Sequence, residues 1–447
     1  MSSVCPLDYR YGSEEMRSLL TREAVLRRLI DVEVALMRGL ADARLAPKEC
    51  VDVLRECAYG VRPEDVDEME ARTGHELASI ATLIALRCGE CGKYVHLGAT
   101  SSDVIDTAWA LILRDALNVL KRRLRAVIEL LVSLSESFKD VVMVGRTHGR
   151  HALPITFGFK LANYAYELSR SYERLCSLTS RVVKGVVSGA VGTMAAWGDA
   201  GLRVESGCLR ELGLEPHPIS TQVAPRDGYA ELAAFAAILA SQLDRLALEV
   251  RELMRDEIGE VTLVEGVAGS STMPHKVNPV AAERVSGLAR LCRGLAVAAF
   301  ENIALMHERD LTNSSCERVL LPHILLLTDQ ALLDTERVLR GLRIDEDAMK
   351  RNLSMSKDSV MAECLMVRLV LKGAVPRHEA RSLVREALSI ARREGVSVEE
   401  ALKRLGVGAP LTEEDFRACS EPENYLGSHA ELVERALRSV RESLRRC

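Results

Sequence analysis

Leu113-Arg-Asp-Ala-Leu117-Asn-Val-Leu120-Lys-Arg-Arg-Leu124-Arg-Ala-Val127-Ile-Glu-Leu-Leu131-Val-Ser-Leu134 carries an apolar side chain at alternating intervals of four and three residues. That spacing lines one face of an α-helix and no face of a strand. Two more stretches repeat it: Leu232, Phe235, Leu239, Leu243, Leu246, Val250 and Leu253, then Leu321, Ile324, Thr328, Ala331, Thr335, Val338 and Leu342. Helices of this length are not stable singly in water and must bury their stripes against one another. Residues 157–187 and 280–306 are also compatible with long helices. The expectation is a bundle of about five long helices.

On either side the pattern shortens. It breaks at Pro47, Pro63 and Gly74 before the bundle, and at Gly373, Pro376, Gly406 and Pro410 after it. Aromatic residues are only 4%, and alternating β-branched runs are rare. We therefore expect an all-α chain of three helical domains: 1–95, a central long-helix bundle over 96–342, and 343–447. Ala-rich faces such as Ala230–Ala240 suit close helix packing, within a chain or between chains.

The composition fits this reading. The 447 residues are too many for one ordinary core. Hydrophobic residues at 48% and charged residues at 28% describe a globular chain. With 59 Lys+Arg against 64 Asp+Glu, nothing points to nucleic acid as a partner. No apolar run is long enough to span a membrane, and Met1–Arg10 has no secretory pattern, so the expected location is the cytoplasm. Arg outnumbers Lys, glutamine occurs only at 222, 242 and 330, and asparagine is scarce; depletion of these thermolabile amides is a thermophile's bias. Twelve cysteines run against that bias, because the thiol is thermolabile too. Cys88 and Cys91 form one C-x-x-C with no second pair at zinc spacing, which favours a structural role over a metal site. Pairing of some cysteines as disulfides accounts for their retention.

Four polar runs are not explained by packing. Leu97-Gly-Ala-Thr100-Ser101-Ser102-Asp103 precedes the first stripe. A helix N-cap accounts for one hydroxyl or carboxylate there, not for three hydroxyls in succession; together with free N–H groups they suit an anion. Gly145-Arg-Thr147-His148-Gly-Arg-His151 follows the first long helix and reads as a connection with a proton-transfer group. Gly269-Ser270-Ser-Thr-Met-Pro-His275-Lys276-Val-Asn278-Pro279 reads as a loop dense in functional side chains. His307-Glu-Arg309-Asp310, with Ser314 and Arg318, reads either as a solvated helix face or as a fork for a phosphate or carboxylate. It is not a zinc motif, because position 311 is Leu.

Three of these runs, Thr100–Asp103, Thr147-His148-Gly149 and Gly269–Pro279, come in the order found in the fumarase/aspartase superfamily and resemble it, and the resemblance covers nearly the whole chain. Thr-Ser-Ser-Asp, His275 before Lys276, the His-Glu-Arg-Asp run, Arg10-Tyr11 and Pro422-Glu-Asn-Tyr-Leu-Gly427 resemble its adenylosuccinate lyase branch. Argininosuccinate lyases usually carry Gln where His275 stands, and carboxymuconate cycloisomerases usually carry Gln in place of Ser102. Gly74-His75-Glu76 departs from the Arg-His-Asp common in bacterial members, which puts a nucleotide contact at 74 in doubt.

The resemblance implies β-elimination of fumarate from adenylosuccinate, and from the succinylated imidazole carboxamide ribotide of the same pathway. It implies Ser270 as general base, His148 as general acid, and Lys276 and Asn278 stabilising the carboxylate on which charge builds. His75 would orient the nucleotide or support His148, and Thr100, Ser101 and Thr147 would donate to the substrate. Arg10, Tyr11, Arg309, Ser314 and Arg318 would hold the phosphate, with Gln222 and Arg284 as further contacts. No metal and no cofactor is implied, because the substrate's own carboxylate is the electron sink. It further implies a homotetramer whose active sites are shared between subunits. The rival readings are a sister lyase of the superfamily and a non-catalytic, crystallin-like scaffold.

Overall fold

The computed structural model describes residues 5–264, 273, 276–355, 361–373, 375–407 and 411–447. Five long helices form the bundle: α6 (Ser101–Ser137), α7 (Phe157–Val182), α9 (Asp227–Leu253), α10 (Val280–Glu301) and α11 (Ser314–Gly341). The three stripes read from the sequence face inward. All of their residues are buried except Leu134, which is half-buried. α7 ends at Val182, where the backbone turns extended, and α10 ends at Glu301, short of the ranges read from periodicity.

Before the bundle come α1 (Glu14–Leu20), α2 (Arg22–Asp42), α3 (Glu49–Cys57), α4 (Pro63–Thr73) and α5 (Glu76–Arg87). The expected breaks have definite local causes. Pro63 opens α4 in its first turn, where its missing N–H costs nothing. Gly74 closes that helix at φ +70, a left-handed position that a side chain would strain. The glycine therefore turns the chain so that the next residue, His75, can cap α5. This gives the departure from Arg at position 74 a structural cause.

Packing crosses the expected boundaries in two places. The first core joins α2–α5 to the first turns of α6 and to α8 (Gly201–Leu212), so residues on both sides of 95 share it. The final helix, His429–Arg445, returns to α7 and buries Val433, Leu437, Val440 and Leu444 in the bundle core. Residues 361–419 enclose a small core of their own.

Four disulfides, Cys50–Cys91, Cys57–Cys88, Cys176–Cys447 and Cys364–Cys419, account for eight of the cysteines. Both cysteines of the C-x-x-C are thus tied to α3, consistent with a structural role.

Among the described residues, strands occur only as three small two-stranded pieces. The connection after α6 is one of them, a hairpin of β1 (Val142–Thr147) and β2 (Arg150–Thr156). Its turn residues His148 and Gly149 have φ of +54 and +70, both positive, as a two-residue hairpin turn matching the strand twist requires. The sequence hint is the His-Gly pair, since Gly is at ease there and His is among the residues that tolerate the left-handed region. Further on, β5 (Val261–Leu263) pairs with β6 (Leu342–Ile344), and α12 (Glu346–Ser354) follows.

Candidate active site

The polar residues gather at opposite ends of the bundle. The first group surrounds the start of α6. Asp103 accepts the Thr100 N–H at 2.8 Å, closing the first turn, and accepts Ser188 N–H at 2.7 Å and Gly189 N–H at 3.1 Å. Burial pushes its carboxyl up to about 6 against the pull of these three donors. With Asp103 as the cap, the hydroxyls beside it have other work. Ser101 Oγ lies 3.3 Å from His75 Nε2. Ser102 Oγ accepts from Arg309 at 2.7 Å, and the same guanidinium nitrogen donates to Gln222 Oε1 at 2.9 Å. Gln222 is held in turn by donating to the Ala190 carbonyl at 2.7 Å. Arg318 lies 3.6 Å from Glu76. Ser314 begins α11 beside them.

Beneath this group is a buried ionic layer. Arg226 donates to both oxygens of Asp106, at 2.8 and 3.0 Å, and lies 3.6 Å from Glu317. Burial pulls Arg309 below the usual arginine value and pushes Glu317 above the usual carboxylate value. Asp106, Arg226 and Glu317 do not appear in the site read from the sequence. Their signal was available, since Asp103, Asp106 and Thr107 sit on the face of α6 that burial claims. An apolar cavity of about 280 Å³ adjoins the group, walled by Leu26, Leu29, Ile80, Ile105 and Trp109, with Arg22, Glu76 and Arg318 as its charged residues.

The second group lies beyond the far end of α6. Thr147 and His148 are exposed at the hairpin tip. Lys276 is exposed and Asn278 half-buried, just before the start of α10. The expected general base, Ser270, lies outside the described residues, as does His275.

A third group lies along α11. The Arg10–Tyr11 segment is pinned there by Gly12 N–H donating to Gln330 Oε1 at 2.9 Å and Ser13 N–H donating to Asp329 Oδ2 at 2.6 Å. Gln330 also donates to Asp334 at 3.0 Å, and Asp334 pairs with Arg284, whose Nε is 2.6 Å from it. One polar chain thus connects the Arg10–Tyr11 segment to Arg284.

The 37 residues of α6 span roughly 55 Å at about 1.5 Å per residue. Ser101 and His148 therefore stand most of a molecule apart within one chain. Among the described residues, no group of three or more His, Cys, Asp or Glu is placed to hold a metal ion, and no helix is long and apolar enough to cross a membrane.

Comparison with known proteins adds the family context. Residues 9–294 match a family described as Lyase. A protein named adenylosuccinate lyase from Pyrococcus abyssi is 44% identical over 99% of both chains. One of the same name from Pyrococcus horikoshii is 43% identical over 99% of both. Among solved structures, the 3-carboxy-cis,cis-muconate lactonizing enzyme from Pseudomonas putida superposes with a TM-score of 0.88 at 29% identity, covering 98% of this chain and 99% of its own.

Proposed function

The chain belongs to this lyase family, as a full-length relative of proteins named adenylosuccinate lyase, and we propose that it eliminates fumarate from adenylosuccinate to release AMP. The observation that carries the reading is the relationship over the full length of the chain. The same elimination applies to the succinylated imidazole carboxamide ribotide, which presents the same succinyl-amine.

The carbon–hydrogen bond beside the succinyl carboxylate is weakly acidic. Its removal needs a base and a stabilised place for the electron pair. Ser270 takes the proton, and the pair moves onto that carboxylate, next to the Lys276 ammonium and the Asn278 amide. The pair then returns to form the fumarate double bond as the carbon–nitrogen bond breaks. His148 gives its proton to the departing purine nitrogen. Ser101 and Thr147 donate to the substrate, and His75 holds Ser101 in place. Arg309, Ser314 and Arg318, with Arg10 and Tyr11, form the anion-binding set for the phosphate. The elimination calls for no metal or cofactor.

One chain cannot close these groups around one substrate, because α6 separates them. We infer a homotetramer in which the two ends come from different copies. α10 supports this. Gly287 and Gly294 are exposed on its surface, and a Cβ added at either would meet nothing within 4 Å. Mid-helix glycine costs about 1 kcal/mol relative to alanine, and none of the described residues packs against either one. Beside them Leu291, Val297 and Phe300 are each more than half exposed. A second helix packed closely on this face would use all five.

The test is ultraviolet absorbance of the purified protein mixed with adenylosuccinate, with argininosuccinate as the control. Loss of the succinylated purine alone supports the proposal. Cleavage of the control, or of neither by a folded oligomer, rejects it in favour of a sister lyase or an inactive scaffold.

A further inference from the structure

A two-stranded hairpin is marginal in water by itself. The β1–β2 hairpin exposes Thr147, His148, Gly149 and Arg150 at its tip, so something else must hold it. At its base Met143 and Val144 are buried, and Val144 packs against Leu353 of α12. Two residues before His148, the Arg146 guanidinium makes two parallel hydrogen bonds to the Glu260 carboxylate, at 2.8 and 2.7 Å.

Glu260 is completely buried and held from every side. Asn352 donates to its Oε1 at 2.8 Å and to the Ile258 carbonyl at 2.8 Å. The Glu260 N–H donates to the Leu253 carbonyl at 3.0 Å, and its own carbonyl accepts from Asp345 N–H at 3.0 Å. Glu260 is thus fixed through its backbone to the end of α9 and to the junction between β6 and α12, and through its carboxylate to α12, one residue before β5 begins. Arg146 is the last residue before the turn with such an anchor. The register breaks between Val144 and Arg146, so strand pairing alone does not fix the direction of the tip.

We propose that Glu260 is a positioning residue for the reaction: through the Arg146 fork it aims the tip that carries His148. A single long side chain would leave the tip free to rotate, whereas a planar fork on a buried carboxylate sets its orientation. Across the hairpin from Arg146 sits His151, which feels Arg146 and Glu260 together. Glu260 touches no substrate in this scheme, and its effect is on the transfer step rather than on binding. The proposal rests on His148 acting as the acid.

The experiment compares Glu260→Gln and Arg146→Lys with the unaltered full-length enzyme. Each variant keeps side-chain volume, and the second keeps the charge while removing the fork. The expected result is a fall in kcat of about tenfold to a hundredfold with KM for adenylosuccinate unchanged. Amide hydrogen exchange should rise over residues 145–151 and not in α6 or α11. The exchange measurement needs no substrate, so it is informative even if the proposed activity is absent. Unchanged kcat and unchanged exchange in folded Arg146→Lys overturn the proposal, and so does a rise in KM with kcat intact. If Glu260→Gln does not fold, Arg146→Lys alone decides.

Discussion

His75 and Ser101 are joined across two helix starts, with imidazole Nε2 3.3 Å from the serine Oγ. The other ring nitrogen, Nδ1, accepts the Ala78 N–H at 3.3 Å and so caps α5. A nitrogen that accepts from a backbone N–H carries no proton. The ring proton therefore sits on Nε2 and is donated to Ser101, whose own hydroxyl hydrogen is left to point at a substrate. His75 has two separable tasks. His75→Asn keeps a good capping side chain but cannot reach Ser101. It should melt within a few degrees of the parent while losing activity. His75→Ala should lose the same activity and about 1 kcal/mol of stability as well. Equal activity in the parent and His75→Asn by the absorbance assay would remove His75 from the site.

His148 has φ +54, followed by Gly149 at φ +70. Asn-Gly is the pair this turn prefers. His148→Asn should therefore leave the hairpin at least as stable as before while removing the acid. Turnover should fall about 10²–10⁴-fold. A melting temperature well below the parent's would show that His148 matters to the fold instead.

Glu33 Oε1 lies 2.7 Å from His96 Nδ1, next to the Thr100–Asp103 run. Burial works against a charged imidazole, but the hydrogen bond and charge of Glu33, with Asp103 behind it, outweigh burial and raise His96 above 6.5. A histidine raised in the folded state contributes stability that is complete below its unfolded value and is lost as pH climbs through the folded value. The window therefore starts near 6.5 and extends upward. The denaturant midpoint of the parent should fall as pH rises from about 6 to about 9. Glu33→Gln should begin lower and change less over that range. Parallel curves would mean that this pair does not set the dependence.

The bundle was legible because burying long helices imposes a period of three and four on the sequence, and Leu113 to Leu134 obeys it. The polar runs were legible because Thr100–Asp103 and Arg146–His151 break that period with groups that packing does not use. Position in three dimensions was not legible. Nothing local says that Arg309 crosses to Ser102, more than two hundred residues away, or that Arg284 is engaged by Asp334. The segment reads as a connection because its strand signal is short, Val141 to Val144 on one side and Ile155-Thr156 on the other, with polar residues between, and its anchor Glu260 lies on a distant loop. Ion pairs between segments leave no periodic trace. Their only sign in the sequence is a charged residue where burial is expected, as at Asp106.

Cys50 and Cys57 are seven residues apart, on one face of α3, and meet Cys91 and Cys88 respectively. The two links close loops of 41 and 31 residues. Chain-entropy reasoning assigns about 4 kcal/mol to each, acting through the unfolded chain. They also fix the segment just before His96 and Thr100, so their removal should be felt at the first polar group. Unreduced, denatured protein should titrate four thiols, matching Cys5, Cys208, Cys292 and Cys316, which lie outside the pairs. Twelve thiols would refute the pairing. Cys50→Ser together with Cys91→Ser should lower the melting temperature by several degrees. If His75 and Ser101 depend on this clamp, the same protein should also show a raised KM at high temperature and a near-normal one when cool. Lower stability with unaltered KM at every temperature would mean that the clamp serves the fold alone.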